Sequence, residues 1–301
     1  MPHQNNNDPV FDQIARLPCW SGSIDIEPLA GGITNRNYRI TDAGGRRFVV
    51  RVGRDIPEHG VMRFNELAAA RAAHAAGISP EVVFAANGFQ VSRFIDGRTL
   101  TPEDVREPAI LRETCELLRR CHHDIPRFFQ GPALIFWVFQ VIRGYLALLN
   151  EKESNPFDVK LAALGKLGER LEQALGPVSI VFGHNDLLAA NLMHDGTRLW
   201  LIDWDYAGFN SPLFDLANLA SNNALTPDLE ETLLEDYFRA AVGPDVQRGF
   251  AAMKCASLLR EALWGAVSRI TSQIDFDYAG YARDYLARFD AMWLGFEKQY
   301  G

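Results

Sequence analysis

Cysteine is scarce in this sequence, with four residues among 301. None of the four, Cys19, Cys115, Cys121 and Cys255, has the C-x-x-C spacing of metal-binding or redox motifs. A chain of this size with so few cysteines does not match the disulfide framework of a small secreted protein. We therefore expect four free thiols.

Long apolar runs are missing as well. Residues 1–18 are polar and lack the apolar segment of a secretory signal. The most apolar later run, residues 133–142, is too short to span a bilayer. These two absences predict a cytoplasmic protein with no membrane span.

Positive charge is neither in excess nor clustered. The chain has 30 Lys and Arg residues against 38 Asp and Glu residues, which gives a formal net charge of -8. Scattered basic residues in an acidic protein lack the electrostatic footprint of nucleic-acid binding. We therefore expect no nucleic-acid partner, and a small cationic substrate suits this charge better.

Residues 179–205 contain the most informative pattern in the chain. Short apolar runs around the turn signal at residues 194–197 predict a strand, a loop and a hairpin. Asp186 falls on the loop, and Asn191 and Asp203 fall where the hairpin strands meet it. Their side chains offer the oxygen ligands that Mg²⁺ prefers.

The spacing within this stretch is typical of a phosphotransferase. His184, Asp186 and Asn191 fit H-x-D-x-x-x-x-N, the catalytic-loop spacing of protein kinases, and Asp203 takes the place of the kinase metal-binding aspartate. A single aspartate in a turn usually caps its own backbone, so the prediction depends on the combination. We expect Asp186 to act on the acceptor hydroxyl, Asn191 and Asp203 to bind Mg²⁺, and His184 to brace the loop.

The N-terminal part predicts a nucleotide-binding sheet. Residues 26–40 indicate two strands around a glycine turn, in which Gly31 and Gly32 let the backbone approach phosphates. Thr34 and Asn35 add hydrogen-bonding groups. A Gly-Gly pair alone more often marks an ordinary hairpin turn.

A charged pair extends this comparison with kinases. Arg51 lies in the middle of a predicted strand, where a cation needs a partner, and Glu66 lies near the start of an Ala-rich helix at residues 63–73. Together they would imitate the strand lysine and helix glutamate of protein kinases. An ordinary surface ion pair remains an equal alternative.

Two more short strands follow at residues 82–84 and 89–95, after which most segments have the periodicity of helices. We therefore predict an α+β, two-lobed protein-kinase-like fold. A small N-terminal lobe with an antiparallel sheet and one helix spans residues 1–94, and a larger, mainly helical lobe spans residues 95–301. The backbone of residues 92–94, from Ser92 to Phe94, would contact adenine.

The C-terminal helix pattern leaves one question open. Tyr278, Tyr281, Tyr285, Phe289 and Trp293 recur at helical intervals. Such a stripe is usually part of the core, and it also offers the rings that a cation–π cage requires. Asp215, in the loop that leads into an earlier helix, is expected to be structural.

Four segments together resemble the choline/ethanolamine kinase family, which belongs to the aminoglycoside phosphotransferase-like kinases of the protein-kinase-like superfamily. They are residues 29–35, 94–100, 184–191 and 202–206. The resemblance implies ATP and Mg²⁺ as cofactors, with Asp186 as catalytic base and Asn191 and Asp203 as metal ligands. It also implies nucleotide-binding roles for Arg51 and Glu66.

The resemblance further implies an acceptor site for choline or ethanolamine. Its expected residues are Asp205, Tyr206, Asn222, Trp264, Phe276, Tyr278 and Tyr281. Two departures from the eukaryotic pattern leave the acceptor open. Val267 stands where a second tryptophan is usual in W-G-x-W, and Asn222 aligns with a glutamate. Thiamine, an aminoglycoside or another amino alcohol is therefore an alternative.

Two other classes of function also fit part of the pattern. In a metallohydrolase, His184, Asp186, His194 and Asp203 would bind a transition metal. In an inactive binding module the kinase fold would persist without chemistry. The oligomeric state is not determined by the sequence, and a homodimer is one option.

Overall fold

The structure is a computed structural model that describes residues 9–29, 35–86 and 88–301. The predictions for Gly31, Gly32 and Thr34 lie outside the described residues. Among the helices described, none is both long and apolar enough to cross a membrane.

The N-terminal lobe contains a five-stranded antiparallel sheet with the order β1-β2-β3-β5-β4. Its strands are β1 (Ile24–Leu29), β2 (Arg36–Asp42), β3 (Arg47–Val52), β4 (Val82–Ala86) and β5 (Phe89–Arg93). Alternate side chains point to one face because successive residues of a strand face opposite sides. Tyr38, Ile40, Phe48 and Val50 therefore form a small core, to which helix α1 (Pro9–Ala15) adds Ile14.

Helix α2 (Arg63–Ala75) belongs to the first lobe in sequence but packs against the second. Its buried alanines, among them Ala69 and Ala73, are part of the large C-terminal core. Helix α2 contacts α4 (Pro108–Phe128), and small side chains permit this close approach. Residue 94 as the boundary between lobes remains a prediction.

The C-terminal lobe is mainly helical, as predicted. Besides α4 it contains α3 (Pro102–Arg106), α5 (Val138–Glu151), α6 (Leu161–Gln173), α7 (Pro212–Asn222), α8 (Pro227–Phe238), α9 (Pro244–Thr271) and α10 (Tyr278–Tyr300). Helix α9 is buried over most of its length and contacts α5, α6, α7 and α10. It is therefore the central helix of this lobe.

Two small sheets hold the predicted catalytic stretch. The predicted hairpin is confirmed, since β8 (Leu192–His194) pairs with β9 (Leu199–Leu201), and β6 (Arg98–Thr99) adds a third strand. In the other sheet β7 (Val181–Gly183) pairs with β10 (Gly208–Asn210). The sequence predicted a loop at β10. A Cβ at Gly208 would come within 2.7 Å of the Leu134 carbonyl oxygen, so only glycine fits there.

Candidate active site

The loop that follows β7 is held in place by hydrogen bonds between its backbone and the side chain of Asp215. Asp215 accepts from the backbone nitrogens of His184 at 2.8 Å and Asn185 at 2.7 Å. Asn185 has a φ of 67°, in the left-handed region that asparagine tolerates better than most residues. The side-chain amide nitrogen of Asn185 donates to the Tyr206 carbonyl oxygen at 3.0 Å. These hydrogen bonds within the protein stabilise the loop conformation.

Helix α7 supplies the anchor for this loop. Asp215 lies in its first turn, is buried, and contacts His122 Nε2 at 2.9 Å. One turn later, the Asn218 side-chain oxygen accepts from the Leu187 backbone nitrogen at 2.5 Å. The structural role predicted for Asp215 is confirmed.

His184 also braces the loop, as predicted. Its Nε2 lies 2.9 Å from the Ile202 carbonyl oxygen, and its ring packs on Trp204 with centroids 4.8 Å apart. Burial lowers the pKa of His184 below its ordinary value. A neutral imidazole therefore links the catalytic loop to the end of the hairpin.

Asp186 and Asn191 meet at the mouth of this loop. Asn191 Nδ2 donates to the Asp186 carbonyl oxygen at 2.8 Å and lies 3.2 Å from Asp186 Oδ2. Asp186 Oδ1 lies 3.8 Å from Arg260 Nη1. Burial raises the pKa of Asp186, and the positive charge of Arg260 opposes this shift.

Asp203 lies beyond the hairpin, with a φ of 69°. Its Oδ1 accepts from Arg51 Nη1 at 2.8 Å, which joins the two lobes. Burial acts to raise the pKa of Asp203, but the charge and hydrogen bond of Arg51 act against it, and the net pKa is lowered. Asp203 is therefore held as a carboxylate.

Arg51 and Glu66 form the predicted pair, with Nη1 and Oε1 2.8 Å apart. The surface alternative is wrong, because only 14% of the Arg51 side chain and 3% of the Glu66 side chain are exposed. Arg63, the first residue of α2, contacts the other Glu66 oxygen at 2.5 Å. Two guanidinium groups therefore converge on one carboxylate.

Asp205 lies in this same cluster, and its expected contact with the acceptor stays a prediction. Its Oδ1 accepts from Arg51 at 3.0 Å and from Arg63 at 2.8 Å, while Oδ2 accepts from Asn35 Nδ2 at 2.8 Å. Arginines from β3 and α2 draw the carboxylate toward the N-terminal lobe. Asp205 thereby links Asn35, which directly precedes β2, to the Asp203 loop.

A cavity of about 470 Å³ lies between the lobes beside this cluster. Arg51, Glu66, Ser92 and Phe94 line it from the first lobe, and Asn191 and Asp203 line it from the second. The structure thus brings together residues that the sequence assigned to nucleotide and metal.

The predicted acceptor aromatics are partly core. Trp264 and Tyr278 are buried, and Trp264 Nε1 donates to the Tyr206 hydroxyl oxygen at 2.8 Å. The Tyr281 ring lies 5.4 Å from Trp264, an approach that depends on Gly265, whose added Cβ would meet that ring at 2.9 Å.

The rest of the stripe divides between core and surface. Phe289 and Trp293 are buried with the core, whereas Tyr285 is partly exposed, and Phe276, which precedes the stripe, is 40% exposed. The side-chain oxygen of Asn222 lies 3.4 Å from the hydroxyl oxygen of Tyr285, a member of the same stripe.

Sequence reasoning missed Arg63 and the adjacent pair Arg260 and Glu261. Arg260 Nη1 lies 2.5 Å from Glu261 Oε1, and Glu261 Oε2 accepts from the Tyr281 hydroxyl at 2.8 Å. Two opposite charges in the otherwise apolar middle of α9 were the available signal.

The metallohydrolase alternative does not match the geometry. His194 lies at the hairpin turn, where its Nδ1 accepts from the Gly196 backbone nitrogen at 2.9 Å. Within the described ranges, no group of three or more His, Cys, Asp or Glu side chains is arranged to hold a metal ion.

Comparison with known proteins supports the same chemistry. The profile of the phosphotransferase enzyme family matches residues 25–253. Human ethanolamine kinase 2 is 30% identical over 296 residues, which cover 88% of this chain and 75% of that protein.

Solved structures with the same fold include a choline/ethanolamine kinase family protein from Mesorhizobium loti. It is 28% identical with a TM-score of 0.76, and the match covers 94% of this chain and 93% of that one. LicA in complex with AMP is 20% identical with a TM-score of 0.74, covering 96% and 100% of the two chains. The predicted protein-kinase-like fold is confirmed.

Proposed function

This chain belongs to the phosphotransferase enzyme family and to its choline/ethanolamine kinase-like branch, and we propose that it transfers the γ-phosphoryl group of ATP to the hydroxyl of choline or ethanolamine. The observation that carries the proposal is the convergence of Asp186, Asn191 and Asp203 beside one cleft. In phosphoryl transfer the protein mainly positions the reactants and stabilises charge. Three preformed oxygen-bearing side chains suit that task.

Asp186 acts on the acceptor hydroxyl in this proposal. The hydroxyl proton passes to the Asp186 carboxylate, the acceptor oxygen forms a bond to the γ-phosphorus, and the bond from that phosphorus to the ADP oxygen breaks. The loop bonds from Asp215 and Asn218 hold Asp186 in place. A positioned general base of this kind contributes about 10²–10⁴-fold to the rate.

Asn191 and Asp203 are the proposed Mg²⁺ ligands. Asn191 uses its amide nitrogen on Asp186, which leaves its carbonyl oxygen for a cation, and Asp203 remains ionised. Both are hard oxygen donors, and Mg²⁺ commonly binds one or two carboxylates together with phosphates. Bound there, the ion would neutralise charge on the phosphate oxygens.

The nucleotide would occupy the 470 Å³ cavity between the lobes. Arg51, fixed by Glu66, supplies positive charge to the phosphates, and the backbone of Ser92 and Phe94 meets adenine. We also propose that Gly31, Gly32, Thr34 and Asn35 contact the phosphates, as the sequence predicts. The AMP bound to LicA supports a nucleotide site in this fold. We place the lobe boundary after residue 94.

The acceptor would lie between Asp186 and an aromatic wall formed by Tyr206, Trp264, Phe276 and Tyr281. Tyr206 and Trp264 are buried, whereas Phe276 is exposed and Tyr281 is partly exposed. Tyr278 packs on Phe276, with ring centroids 5.0 Å apart, and Asn222 contacts Tyr285, whose ring lies 4.6 Å from that of Tyr281. The name of the human relative favours ethanolamine, and thiamine and aminoglycosides remain the alternatives.

A phosphoryl-transfer screen tests the proposal. The purified chain is incubated with γ-labelled ATP, Mg²⁺ and each of choline, ethanolamine, thiamine, homoserine and an aminoglycoside. We expect label in phosphocholine or phosphoethanolamine, identified by ³¹P NMR. Label only in thiamine or the aminoglycoside would overturn the acceptor, and label in none of them with ATP bound would support the inactive binding module.

A further inference from the structure

Arg260 carries a buried guanidinium group that has no role in the proposed reaction as described above. It lies on α9 and is 1% exposed. Its Nη1 pairs with Glu261 Oε1 at 2.5 Å, and its guanidinium carbon lies 4.3 Å from the centroid of the Tyr206 ring. A buried charge is costly unless it is paired, and these contacts fix its position beside the catalytic loop.

The distance from Arg260 to the catalytic carboxylate is informative. Nη1 lies 3.8 Å from Asp186 Oδ1, which is too long for a direct hydrogen bond. An oxygen atom about 2.8 Å from each would complete two hydrogen bonds across such a gap. The gap between these two atoms therefore fits one bridging hydroxyl oxygen.

The two oxygens of Asp186 differ in their surroundings. Oδ2 lies 3.2 Å from Asn191 Nδ2, on the side of the proposed metal ligands. Oδ1 is the oxygen that faces Arg260. The acceptor hydroxyl therefore meets Oδ1 where a guanidinium is already present.

Arg260 has donors to spare for such a contact. A guanidinium carries five N–H groups, two of them on Nη1, so one can serve Glu261 and the other an acceptor oxygen. Nε and Nη2 make no hydrogen bond with the part of the chain that the structure describes. The group is thus far from saturated.

We propose that Arg260 is a further catalytic residue, whose Nη1 donates a hydrogen bond to the acceptor hydroxyl oxygen while that hydroxyl donates to Asp186 Oδ1. This inference rests on the proposed function, because it takes the acceptor oxygen to lie on Asp186. As the proton passes to Asp186, negative charge grows on the oxygen that attacks phosphorus. Arg260 stabilises this charge and keeps all its protons, and the oxygen ends as the phosphoester bridge when ADP leaves.

The test compares ligands with and without the hydroxyl. Binding of ethanolamine and ethylamine, and of choline and ethyltrimethylammonium, is measured by calorimetry on wild type, Arg260→Met and Arg260→Lys. Arg288→Met is the matched control, because Arg288 also lies over a tyrosine, Tyr285, at 4.5 Å. Turnover with ATP and Mg²⁺ is measured for the same four proteins.

We expect wild type and Arg288→Met to prefer the hydroxylated ligand by about tenfold or more, since hydrogen bonds to charged groups are among the stronger ones. Arg260→Met should reduce this ratio severalfold and lower kcat by about 10²–10³-fold, as for loss of an oxyanion donor. A purely structural role would weaken both ligands equally and leave the ratio unchanged. Arg260→Lys should recover part of the preference for the hydroxylated ligand and part of kcat.

Three outcomes are decisive. An unchanged ratio and kcat in Arg260→Met would overturn the assignment while the proposed function stands. If that variant does not fold, Arg260→Lys and wild type decide, because equal binding of ethanolamine and ethylamine by wild type also overturns it. A wild-type protein that neither binds nor phosphorylates either amino alcohol contradicts the proposed function itself.

Discussion

Asp203 is the residue at which the metal assignment can be tested most cleanly. Its carboxylate is held ionised by Arg51, and its side chain is 26% exposed toward the cleft. Asp203→Asn removes the charge and keeps the shape. Arg51 retains Glu66 and Asp205 as partners, so we expect the fold to persist.

The expected result for Asp203→Asn is a change in Mg²⁺ dependence. Loss of one charged ligand should raise the Mg²⁺ concentration for half-maximal activity by about tenfold or more, or about 1.4 kcal/mol. Asp195→Asn is the control, since Asp195 lies at the hairpin turn, where it accepts hydrogen bonds from Thr197, Arg198 and the Trp200 indole nitrogen. An unchanged Mg²⁺ midpoint in Asp203→Asn would reject the metal assignment.

Single residues were predictable where their partners are close in sequence. Asp186, Asn191 and Asp203 lie within one short stretch whose spacing itself reports phosphotransfer chemistry. Arg260 reaches Asp186 only because α9 packs beside the catalytic loop, and no local pattern contains that contact. The ion pairs of Asp205 were not predictable, because its partners Arg51 and Arg63 lie more than 140 residues away.

At the scale of elements, α7 holds the catalytic loop through Asp215. Asp215→Asn replaces one accepting oxygen with a donor, which then faces a backbone N–H or His122. A buried unsatisfied group costs about 1–3 kcal/mol, and more when a charge is involved. We expect a loss of that size in urea unfolding, together with reduced kcat.

The control for Asp215→Asn is Asp228→Asn, in the first turn of α8. Asp228 is exposed, and a first-turn acid contributes only about 0.3–1 kcal/mol through the helix dipole. If Asp215→Asn unfolds at the urea concentration of wild type, the anchor role of α7 is wrong.

The helices and the hairpin were predictable because their signals are local. Helix α8 begins with Pro227 after the capping residue Thr226, a start signal contained in adjacent residues. Helix α4 runs from Pro108 to Phe128 and carries its buried residues on one face, which is also a local pattern. Strand β10 has three residues, one of them glycine, and its partner precedes it by 25 residues or more, so nothing local indicated a strand.

At the scale of the whole molecule, His59 joins segments far apart in sequence. Its Nδ1 lies 3.0 Å from the Tyr145 hydroxyl oxygen, and its Nε2 lies 3.0 Å from the Ser268 hydroxyl oxygen. Burial, with a smaller effect of Arg260, lowers the pKa of His59 to about 3. The folded protein therefore holds a neutral imidazole.

This depressed pKa predicts a pH dependence of stability. The unfolded chain takes up a proton at His59 below about pH 6.5, and the folded chain does so only near pH 3. Stability from this group is complete above pH 6.5 and is lost as the pH falls through that window. At pH 5 the loss should be about 2 kcal/mol.

The free energy of unfolding in urea is measured at pH 7 and pH 5 for wild type and for His59→Gln. Glutamine keeps hydrogen-bonding groups at this position but cannot titrate. Wild type should lose about 2 kcal/mol more than His59→Gln between the two pH values. Equal losses in the two proteins would show that His59 is protonated, or free to become so, in the folded state.

The two-lobed plan followed from strand signals early in the chain and helix signals later. The cleft between the lobes could not be predicted in this way. The hydrogen bonds that close it, such as the one from Arg51 to Asp203, connect residues 152 positions apart. The packing of the α2 alanines into the second lobe was also not predictable, because an Ala-rich sequence does not indicate which partner the helix packs against.

The proposed reaction depends most on Asp186, the group that receives the acceptor proton. Its most direct test is single-turnover phosphoryl transfer from ATP with Mg²⁺ to ethanolamine, compared between wild type and Asp186→Asn at saturating ATP. We expect wild type to form phosphoethanolamine, and Asp186→Asn to bind ATP normally but to react about 10²–10⁴-fold more slowly. A rate for Asp186→Asn within about threefold of wild type, far less than removal of a general base costs, would contradict the account.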